Sequence, residues 1–339
     1  MKLAVFAYSR RGCDTARRVL SFFPGHDVSL YAPARLEEEG FLPLGQPYVP
    51  FYGSLFESCD ALIFVGAAGI AVRSIAPHVR DKRTDPAVLC ADESGRFVIS
   101  LLSGHIGGAN AMASALADAL GATAVVTTAT DINRRFSADA WAAENGYAIS
   151  DMRAAKAVSG AILEGDVPIC CSLPVSGELP AGTVPGESGP IGIYIGWEKK
   201  EPFDITLRLI PRALHLGIGC RRGVGEETIA KAVDGVLDAN GVDIRAVECV
   251  SSVDLKADEP GLKAYCENNG LPFIVYGAAR LAAVKGSFSS SAFVESVTGV
   301  DNVCERAALA EADELLIKKT AIEGVTVALA AKKTEVRFG

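Results

Sequence analysis

The sequence predicts an α/β protein with a doubly wound, mostly parallel sheet in its N-terminal domain, a small α/β middle module and a C-terminal α/β domain. Short apolar runs of strand length alternate with amphipathic helical segments along most of the chain. Aromatic residues make up 7% of the chain, while alanine and glycine are abundant, as is typical of proteins with tight turns between strands and helices. A length of 339 residues exceeds one ordinary core, so we expect several compact units.

The N-terminal domain is predicted to span residues 1–130. Its predicted strands are Met1–Tyr8, Asp27–Tyr31, Ala61–Val65, Ala87–Cys90, Phe97–Leu102 and Ala124–Thr127, with helices at Asp14–Phe23 and Gly108–Leu120. Asp92–Gly95 predicts the hairpin turn between two of these strands. Because parallel strands end at the same edge of a sheet, we expect the polar loops that follow the strands to lie at one edge.

Composition shifts near Asp131, and residues 131–210 predict the middle module. Residues 211–339 predict the C-terminal domain, which starts with the strand Ala213–Ile218 and the helix Glu226–Asn240. Ala307–Leu315 predicts a further helix, and Thr326–Ala331 predicts a closing strand. These boundaries follow changes from apolar runs to stretches rich in glycine and proline.

Charge and composition exclude several classes of protein. A formal net charge of −8 argues against non-specific nucleic-acid binding, so local basic clusters need local purposes. No apolar run approaches the roughly 20 residues of a membrane span. The nine cysteines are scattered without a CxxC pair, which predicts reduced thiols in the cytoplasm. The four histidines form no metal-ligand spacing, so we expect no metal site in the protein.

Two loops of the N-terminal domain suit anion binding. Gly66, Ala68 and Gly69 lie between a strand and a helix that carries Arg73, where small residues let backbone N–H groups face a carboxylate, phosphate or oxyanion. Asp81, Lys82 and Arg83 belong to a charged loop whose cations can pair with substrate carboxylates. The alternative interpretation of the first loop is a tight strand-to-helix turn, and that of the second is a solvated charged loop.

A third loop, Ser103–Asn110, follows the strand Phe97–Leu102 and contains His105 between glycines. Histidine is the natural general base near neutral pH, and the glycines leave its ring accessible. Ser103 is two residues from His105 and no GxSxG turn is present, which argues against an acyl-serine route. Thr128 and Asp131 follow the next strand and are candidate ligands; an N-cap or Asx turn is their alternative role.

In the C-terminal domain, Gly219, Arg221 and Arg222 lie between a strand and a helix. The glycine spacing is one residue longer than the dinucleotide-binding fingerprint GxGxxG, and two adjacent arginines at a helix N-terminus favour anion binding. The sequence therefore supports a nicotinamide site only weakly.

Several long motifs resemble one family. GAAGIAVRSIAPHVRDKRTDPAVLCADESGRFVISLLSGHIGGAN at 66–110, followed by TTATD, resembles the N-terminal region of the cobalt-precorrin-5A hydrolases, the CbiG family of anaerobic cobalamin biosynthesis. LGIGCRRGV, VDLKADEPGL, GLPF and GVTVALA resemble the C-terminal domain of that family. The resemblance covers nearly the whole chain and is least clear in the middle.

The resemblance implies a hydrolase of porphyrin and corrin metabolism. Its substrate is a cobalt-bearing tetrapyrrole with a δ-lactone, and water opens the lactone with release of acetaldehyde to give cobalt-precorrin-5B. The cobalt belongs to the substrate, so no cofactor is expected. The substrate's acetate and propionate groups give the basic loops a purpose.

That chemistry assigns expected roles to residues of this chain. His105 is the expected base, the amides of Gly66–Gly69 or Gly104–Gly107 the oxyanion site, and Asp81 or Glu93 the proton carrier. The expected substrate-binding residues are Gly66, Ala68, Gly69, Arg73, Lys82, Arg83, Ser103, Gly104, Gly107, Thr128, Asp131, Gly219, Arg221 and Arg222.

Two other functions stay open at this point: a nucleotide-dependent oxidoreductase built on the glycine turns, and a non-catalytic tetrapyrrole carrier or scaffold. The expected partner is a small tetrapyrrole, with no nucleic acid and no membrane. A homodimer, and transfer of the corrinoid to neighbouring methyltransferases of the pathway, are further expectations.

Overall fold

The computed structural model describes residues 1–81 and 84–338, and for Thr130, Asp131, Ala292 and Phe293 it describes the backbone alone. The chain divides into two compact units, Met1–Trp141 and Ala142–Gly339. The finer division of the second unit at residue 210 stays a prediction. Within the described residues, no helix combines the length and apolarity needed to cross a membrane.

The first unit is built on a mixed sheet with the strand order β3-β2-β1-β4-β5-β6-β7. Its strands are β1 (Lys2–Ala7), β2 (Asp27–Ala32), β3 (Leu42–Pro43), β4 (Ala61–Val65), β5 (Ala87–Ala91), β6 (Phe97–Leu102) and β7 (Thr123–Val125). Neighbouring strands are parallel except for β5 and β6, which are antiparallel. The predicted α/β class with a mostly parallel sheet is confirmed.

Helices cover both faces of this sheet. They are α1 (Arg10–Phe22) and α4 (Ala109–Leu120) on one face, and α2 (Tyr48–Ser58) and α3 (Ala68–Ile75) on the other. The helices α5 (Ala129–Ile132) and α6 (Ala138–Glu144) follow β7 along the chain. Along β1, Val5 points to the core shared with α1 and α4, while Phe6 points to the core shared with α2 and α3. Alternate side chains of a strand face opposite sides, so an unbroken apolar run fits a strand buried on both faces.

Local sequence explains where the helices begin and end. Ser9 caps α1 because its Oγ accepts a hydrogen bond from the amide of Gly12 at 3.1 Å. Gly121 ends α4 with a φ of 66°, which glycine adopts without steric cost.

The second unit contains two larger sheets. The first has the order β11-β9-β12-β13-β8 and packs against α7. Its elements are β8 (Ala148–Ile149), α7 (Met152–Glu164), β9 (Val167–Cys171), β10 (Val175–Ser176, outside this sheet), β11 (Thr183–Pro185), β12 (Ile191–Ile195) and β13 (Ile205–Ile210).

The other sheet has the order β16-β15-β14-β18-β17, and β10 pairs separately with β19. The elements of this part are β14 (Leu214–Cys220), α8 (Glu226–Ala239), β15 (Val247–Val253), α9 (Pro260–Asn268), β16 (Phe273–Tyr276), α10 (Ala278–Ala283), α11 (Ala292–Thr298), α12 (Cys304–Leu309), β17 (Glu314–Ile322), β18 (Val325–Ala331) and β19 (Val336–Arg337). The helix predicted over Ala307–Leu315 is wrong in its second half, because α12 ends at Leu309 and β17 begins at Glu314.

Candidate active site

Strand direction divides the predicted site residues of the first unit into two groups. The turn Asp92–Gly95 reverses the chain, so β6 and β7 run opposite to β1, β4 and β5. Residues that follow β6 and β7 therefore lie at the edge where β5 begins, away from the edge where β4 ends. The expectation that these loops share one edge is wrong. Since β5 has 5 residues, the two edges are about 16 Å apart at about 3.3 Å per residue.

We call the edge that carries His105 the histidine edge. It contains these residues: Asp81, Ser103, Gly104, His105, Gly107, Thr128, Ser137 and Asp139. The opposite edge carries these: Gly66, Ala68, Gly69, Arg73 and Glu93. Lys82 and Arg83 lie outside the described residues. Asp131 belongs to α5, and its side chain is not described.

The loop between β6 and α4 is a tightly packed turn that presents His105. Ser103 has a φ of 57°, a left-handed conformation, and its Oγ donates to the carbonyl of Asp85 at 2.9 Å. The amide of Ala109 donates back to the carbonyl of Ser103 at 3.1 Å. A Cβ at position 107 would lie 2.5 Å from Cβ of Ser103, so glycine alone fits at Gly107.

The imidazole of His105 lies against a hydroxyl and a carboxylate. Its Nδ1 is 3.1 Å from Oγ of Ser137 and 3.4 Å from Oδ1 of Asp139. Ser137 Oγ donates to that same carboxylate oxygen at 2.9 Å. The side chain of Asp139 is 6% exposed, and that of His105 is 19% exposed. These acceptors favour a proton on Nδ1, which places the lone pair of the neutral ring on Nε2.

Backbone amides beside His105 offer donors to an anion. Among the residues that the structure describes, the N–H groups of Gly104, Ile106 and Gly107 donate to no acceptor in the protein. Half-buried amides normally have a partner, so donors without one are a natural place for an oxyanion. Of the two glycine turns predicted to supply this site, Gly104–Gly107 lies at the edge that carries His105.

Asn110 connects the histidine edge to the end of β7. Its side chain is buried, and its Nδ2 donates to Oγ1 of Thr128 at 2.9 Å. A Cβ at Gly104 would lie 2.6 Å from Oδ1 of Asn110, so the loop packs directly on this amide. The structure thus brings Thr128 to the same edge as His105, as expected, and adds Asn110 to the group.

The loop before β5 completes this edge. The carboxylate of Asp85 is buried and accepts the amide of Arg80 at 2.9 Å. The carbonyl of Asp81 accepts the amides of Thr84 at 3.0 Å and Asp85 at 2.9 Å. The backbone carbonyl of Asp85 also accepts a hydrogen bond from the hydroxyl of Ser103. This bond fixes the loop that carries Asp81 beside the loop that carries His105.

Glu93 and the turn after β4 lie at the opposite edge. Glu93 accepts a hydrogen bond from Ser9 Oγ at 2.6 Å, and its carbonyl accepts one from Thr15 at 2.8 Å. Arg73 folds back along α3, where its Nη1 lies 3.7 Å from the position that a Cβ of Gly69 would take. The strand reversal therefore separates these residues from His105, so they do not act on one carbonyl with it.

In the second unit, Arg221 and Arg222 lie on the loop after β14, as predicted. Gly219 was expected on that loop, but it lies within β14, because its backbone pairs with Thr326 of β18. The amide of Arg221 donates a hydrogen bond to the carbonyl of Gly324 at 3.2 Å. The buried carboxylate of Glu259 accepts a hydrogen bond from the amide of Gly223. This loop lines a cavity of about 640 Å³, which we call the β14 cavity. Its lining residues are Gly219, Cys220, Arg221, Arg222, Val253, Leu255, Lys256, Val294, Val297, Thr298, Val303, Cys304, Lys319, Gly324 and Thr326.

The described cysteine and histidine side chains were compared with the requirements of a metal centre and of a thiol nucleophile. In the described part of the chain, no group of three or more His, Cys, Asp or Glu side chains is arranged to hold a metal ion. Burial raises the pKa of Cys90 and Cys249 to about 11 and that of Cys266 to about 12. Burial also raises the pKa of Cys220, which keeps this thiol protonated and makes it a poor nucleophile.

The sequence analysis missed Ser137 and Asp139. The carbonyl of Ser137 accepts the amide of Trp141 at 2.9 Å, so Ser137 stands where a helix N-cap stands, and Asp139 lies in the first turn of α6. Serine and aspartate are common at helix starts for structural reasons, so their presence there does not by itself indicate a functional site. The signal that was present is a Ser-x-Asp pair after the charged stretch Asp131–Arg135.

Comparisons with known proteins place this chain in a family. A family model described as Cobalamin synthesis G N-terminal matches residues 51–131, and one described as Cobalamin synthesis G C-terminus matches residues 214–330. A Salmonella typhimurium protein named cobalt-precorrin-5A hydrolase is 34% identical over 345 aligned positions, which cover 96% of this chain and 97% of that protein. A Priestia megaterium protein of the same name is 28% identical, with 96% and 94% covered.

Among solved structures, a cobalamin biosynthesis protein G homologue from Sulfolobus solfataricus is 20% identical, with a TM-score of 0.40 and 97% of each chain covered. The two matching family models and the named relatives define an enzyme of the hydrolase class that acts in cobalamin biosynthesis. The chain belongs to the CbiG family of cobalamin-synthesis proteins. The family resemblance found in the sequence is confirmed.

Proposed function

We propose that the protein hydrolyses the δ-lactone of cobalt-precorrin-5A, releases acetaldehyde and forms cobalt-precorrin-5B. The observation that carries this proposal is the imidazole of His105, held through Nδ1 by Ser137 and Asp139, beside amides that have no internal acceptor. A base next to oxyanion donors is what water attack on an ester carbonyl requires. The names of the relatives supply the substrate.

In the first step, Nε2 of His105 removes a proton from water as the water oxygen attacks the lactone carbonyl. The amides of Gly104, Ile106 and Gly107 stabilise the oxyanion of the tetrahedral intermediate. The intermediate collapses when its acyl–oxygen bond breaks, which yields a carboxylic acid and an alkoxide, and the carboxylic acid then loses its proton to solvent. Asp139 stabilises the imidazolium that forms on His105, since its carboxylate lies 3.4 Å from Nδ1.

In the second step, the alkoxide collapses to a carbonyl and the adjacent carbon–carbon bond breaks. Acetaldehyde leaves, and the electron pair stays with the macrocycle carbon, which then takes up a proton. The imidazolium of His105 or the carboxyl group of Asp81 delivers that proton, because both belong to the histidine edge. Glu93 is not proposed for this role, because the strand reversal places it at the opposite edge.

We also propose that cobalt enters only with the substrate, and that no protein-bound cofactor takes part, because each step is a proton transfer or a heterolysis. Arg221 and Arg222 hold acetate or propionate groups of the macrocycle. The protein works in the cytoplasm on this small molecule, without nucleic acid or membrane, and its product passes to a methyltransferase of the pathway. A homodimer remains part of this proposal.

Incubation of the purified protein with cobalt-precorrin-5A tests the proposal. We expect acetaldehyde in equimolar amount with a product whose mass equals that of substrate plus water minus acetaldehyde. His105→Ala is expected to lower the turnover rate by about 100-fold or more, since general acid–base catalysis contributes that much. His26→Ala is the matched control, because His26 is exposed and contacts the N-terminal amine.

The remaining functions are outcomes of the same experiment. Tight binding of the corrinoid without acetaldehyde identifies a carrier or scaffold and overturns the hydrolase proposal. Binding of a nicotinamide cofactor with a change in its absorbance identifies an oxidoreductase. Full turnover by His105→Ala removes the base assignment and leaves the overall reaction in place.

A further inference from the structure

The β14 cavity concentrates positive charge in an acidic protein. Arg221, Arg222, Lys256 and Lys319 line it, and the described lining contains no carboxylate, although the chain carries a net charge of −8. Lys256 pairs with the buried Glu259 at 2.9 Å. Within the part of the chain that the structure describes, the other three cations make no ion pair within 4.0 Å. Clustered cations repel one another, so the cavity favours an anionic ligand.

The same cavity has apolar walls that reach the solvent. Val253 and Val303 form a buried part of the lining, while Leu255 is 61% exposed and Val297 is 59% exposed at the protein surface. Large apolar side chains that line a concave site commonly mark a ligand-binding or interaction surface. A ligand that satisfies both features has an apolar body and acidic groups at its periphery.

Backbone contacts fix the position of these groups. A Cβ at Gly217 would lie on the carbonyl of Cys304, so α12 packs directly on β14 beneath the cavity. The fully buried carboxylate of Glu305 accepts the amide of Lys319 at 2.7 Å, which ties β17 to α12. The fold itself therefore holds the walls formed by β14, α12 and β17 in place, so ordering these walls costs a ligand little binding free energy.

We infer that the β14 cavity is a docking site for one edge of an apolar ring whose periphery carries carboxylates, with Lys256 and Lys319 joining Arg221 and Arg222 around that edge. A cavity of about 640 Å³ suits a drug-sized molecule, so a fully substituted tetrapyrrole enters it in part. The identification of that ring with the macrocycle hydrolysed at the histidine edge rests on the proposed function. The docking itself does not require the hydrolysis.

Binding of uroporphyrin III, an octacarboxylate porphyrin, to the full chain tests this inference through quenching of the porphyrin fluorescence. We expect a single site whose affinity falls as salt is raised, because salt screens charge pairs. Lys319→Ala is expected to weaken binding by about tenfold, the loss that one charged hydrogen bond gives. Lys318→Ala is the matched control. Lys318 is next to Lys319 in the chain, but its side chain is exposed and does not line the cavity.

A second probe separates charge from the apolar contact. Benzenehexacarboxylate carries many carboxylates on a small ring, and we expect it to displace uroporphyrin poorly. Leu255→Ser is expected to weaken uroporphyrin binding while the thermal unfolding midpoint stays at its wild-type value. Equal affinity of the wild-type chain, Lys319→Ala and Leu255→Ser for uroporphyrin would overturn the inference.

The two proposals fail in different ways. Acetaldehyde release at the wild-type rate and KM by Lys319→Ala, together with unchanged uroporphyrin affinity, removes the docking site and leaves the hydrolase in place. If Lys319→Ala loses affinity for uroporphyrin while the wild-type protein releases no acetaldehyde, the docking site is supported and the hydrolase proposal is overturned. His105→Ala is expected to bind uroporphyrin as the wild type does.

Discussion

The hydroxyl of Ser103 donates a 2.9 Å hydrogen bond to the carbonyl oxygen of Asp85, across the antiparallel pair β5 and β6. This contact joins the loop that leaves one strand to the loop that enters the other. The two loops carry His105 and Asp81, so this contact holds the candidate base and the candidate proton carrier on neighbouring loops. Variants of this assembly give sharp tests of the site.

Asp139→Asn is expected to lower kcat by about 100-fold or more with a small change in KM. The amide no longer stabilises the imidazolium of His105, and it can turn its NH2 toward Nδ1. We also expect the dependence of kcat on pH between about pH 5 and 8 to change, which a purely structural role would not produce. Steady-state kinetics across that range provide the measurement.

Asp118→Asn is the control for this variant, because Asp118 is an exposed carboxylate on α4. Both variants remove one negative charge from the first unit. Equal pH profiles for Asp139→Asn and the wild type would show that Asp139 does not position the base.

Gly107→Ala is expected to lower kcat/KM by about 100-fold, because the new Cβ would lie 2.5 Å from Cβ of Ser103 and displace the His105 loop. Gly160→Ala is the control, since Gly160 lies exposed in α7 with nothing within 4 Å of an added Cβ. The control is expected to gain about 0.5 to 1 kcal/mol of stability and to keep full activity. Kinetics and thermal unfolding of both variants check the pair.

Glu93→Gln is expected to leave kcat unchanged, whereas Asp81→Asn is expected to reduce it. Glu93 lies at the edge about 16 Å from the histidine edge and bonds to Ser9. Single-turnover rates of acetaldehyde release measure the chemical step directly. A comparable loss of rate in the Glu93 variant would mean that the reaction takes place at the opposite edge.

The second unit is expected to lose stability in acid through Asp243. Burial opposes ionisation of this carboxylate, but hydrogen bonds from Arg245 and the charges of Arg245 and Arg208 lower its pKa to about 2. Because the pKa is lower in the folded state, the contribution is complete above pH 3.8, the ordinary pKa of an aspartate, and disappears as the pH falls through about 2. Its size is about 2 kcal/mol.

Urea unfolding of Asp243→Asn and the wild type at pH 7, 4 and 3 measures this contribution. Trp197 reports on the region because its carbonyl accepts the amide of Asp243 at 2.8 Å, and a Trp141→Phe background removes the other tryptophan. The stability difference is expected to shrink as the pH falls. A difference that is constant with pH would assign the effect to packing.

The sequence predicts much of the first unit because its strands are buried on both faces and read as short apolar runs. The predicted hairpin turn Asp92–Gly95 is confirmed. The turn also reverses the direction of β6 and β7, which the expectation of a single edge for all the loops did not take into account. A turn of this length can only join antiparallel strands, so the division of the site between two edges was available from the sequence.

Other features depend on contacts that no local pattern encodes. Asp139 and His105 are separated by many residues along the chain, and only the fold brings the carboxylate to Nδ1. The strand β17 alternates exposed and half-buried residues, but its lysines resemble a polar loop. This segment forms a strand because it pairs with β18, since tertiary context outweighs local propensity in strands.

The strand reversal places the candidate base at one edge of the first unit and the turn Asp92–Gly95 at the other. The turn at Ser94 lies about 16 Å from the histidine edge. A cysteine introduced there can carry a fluorophore or a surface tether without covering His105. Enzyme that is labelled or immobilised in this way carries its label away from the candidate base, which suits single-molecule or flow-cell observation of turnover.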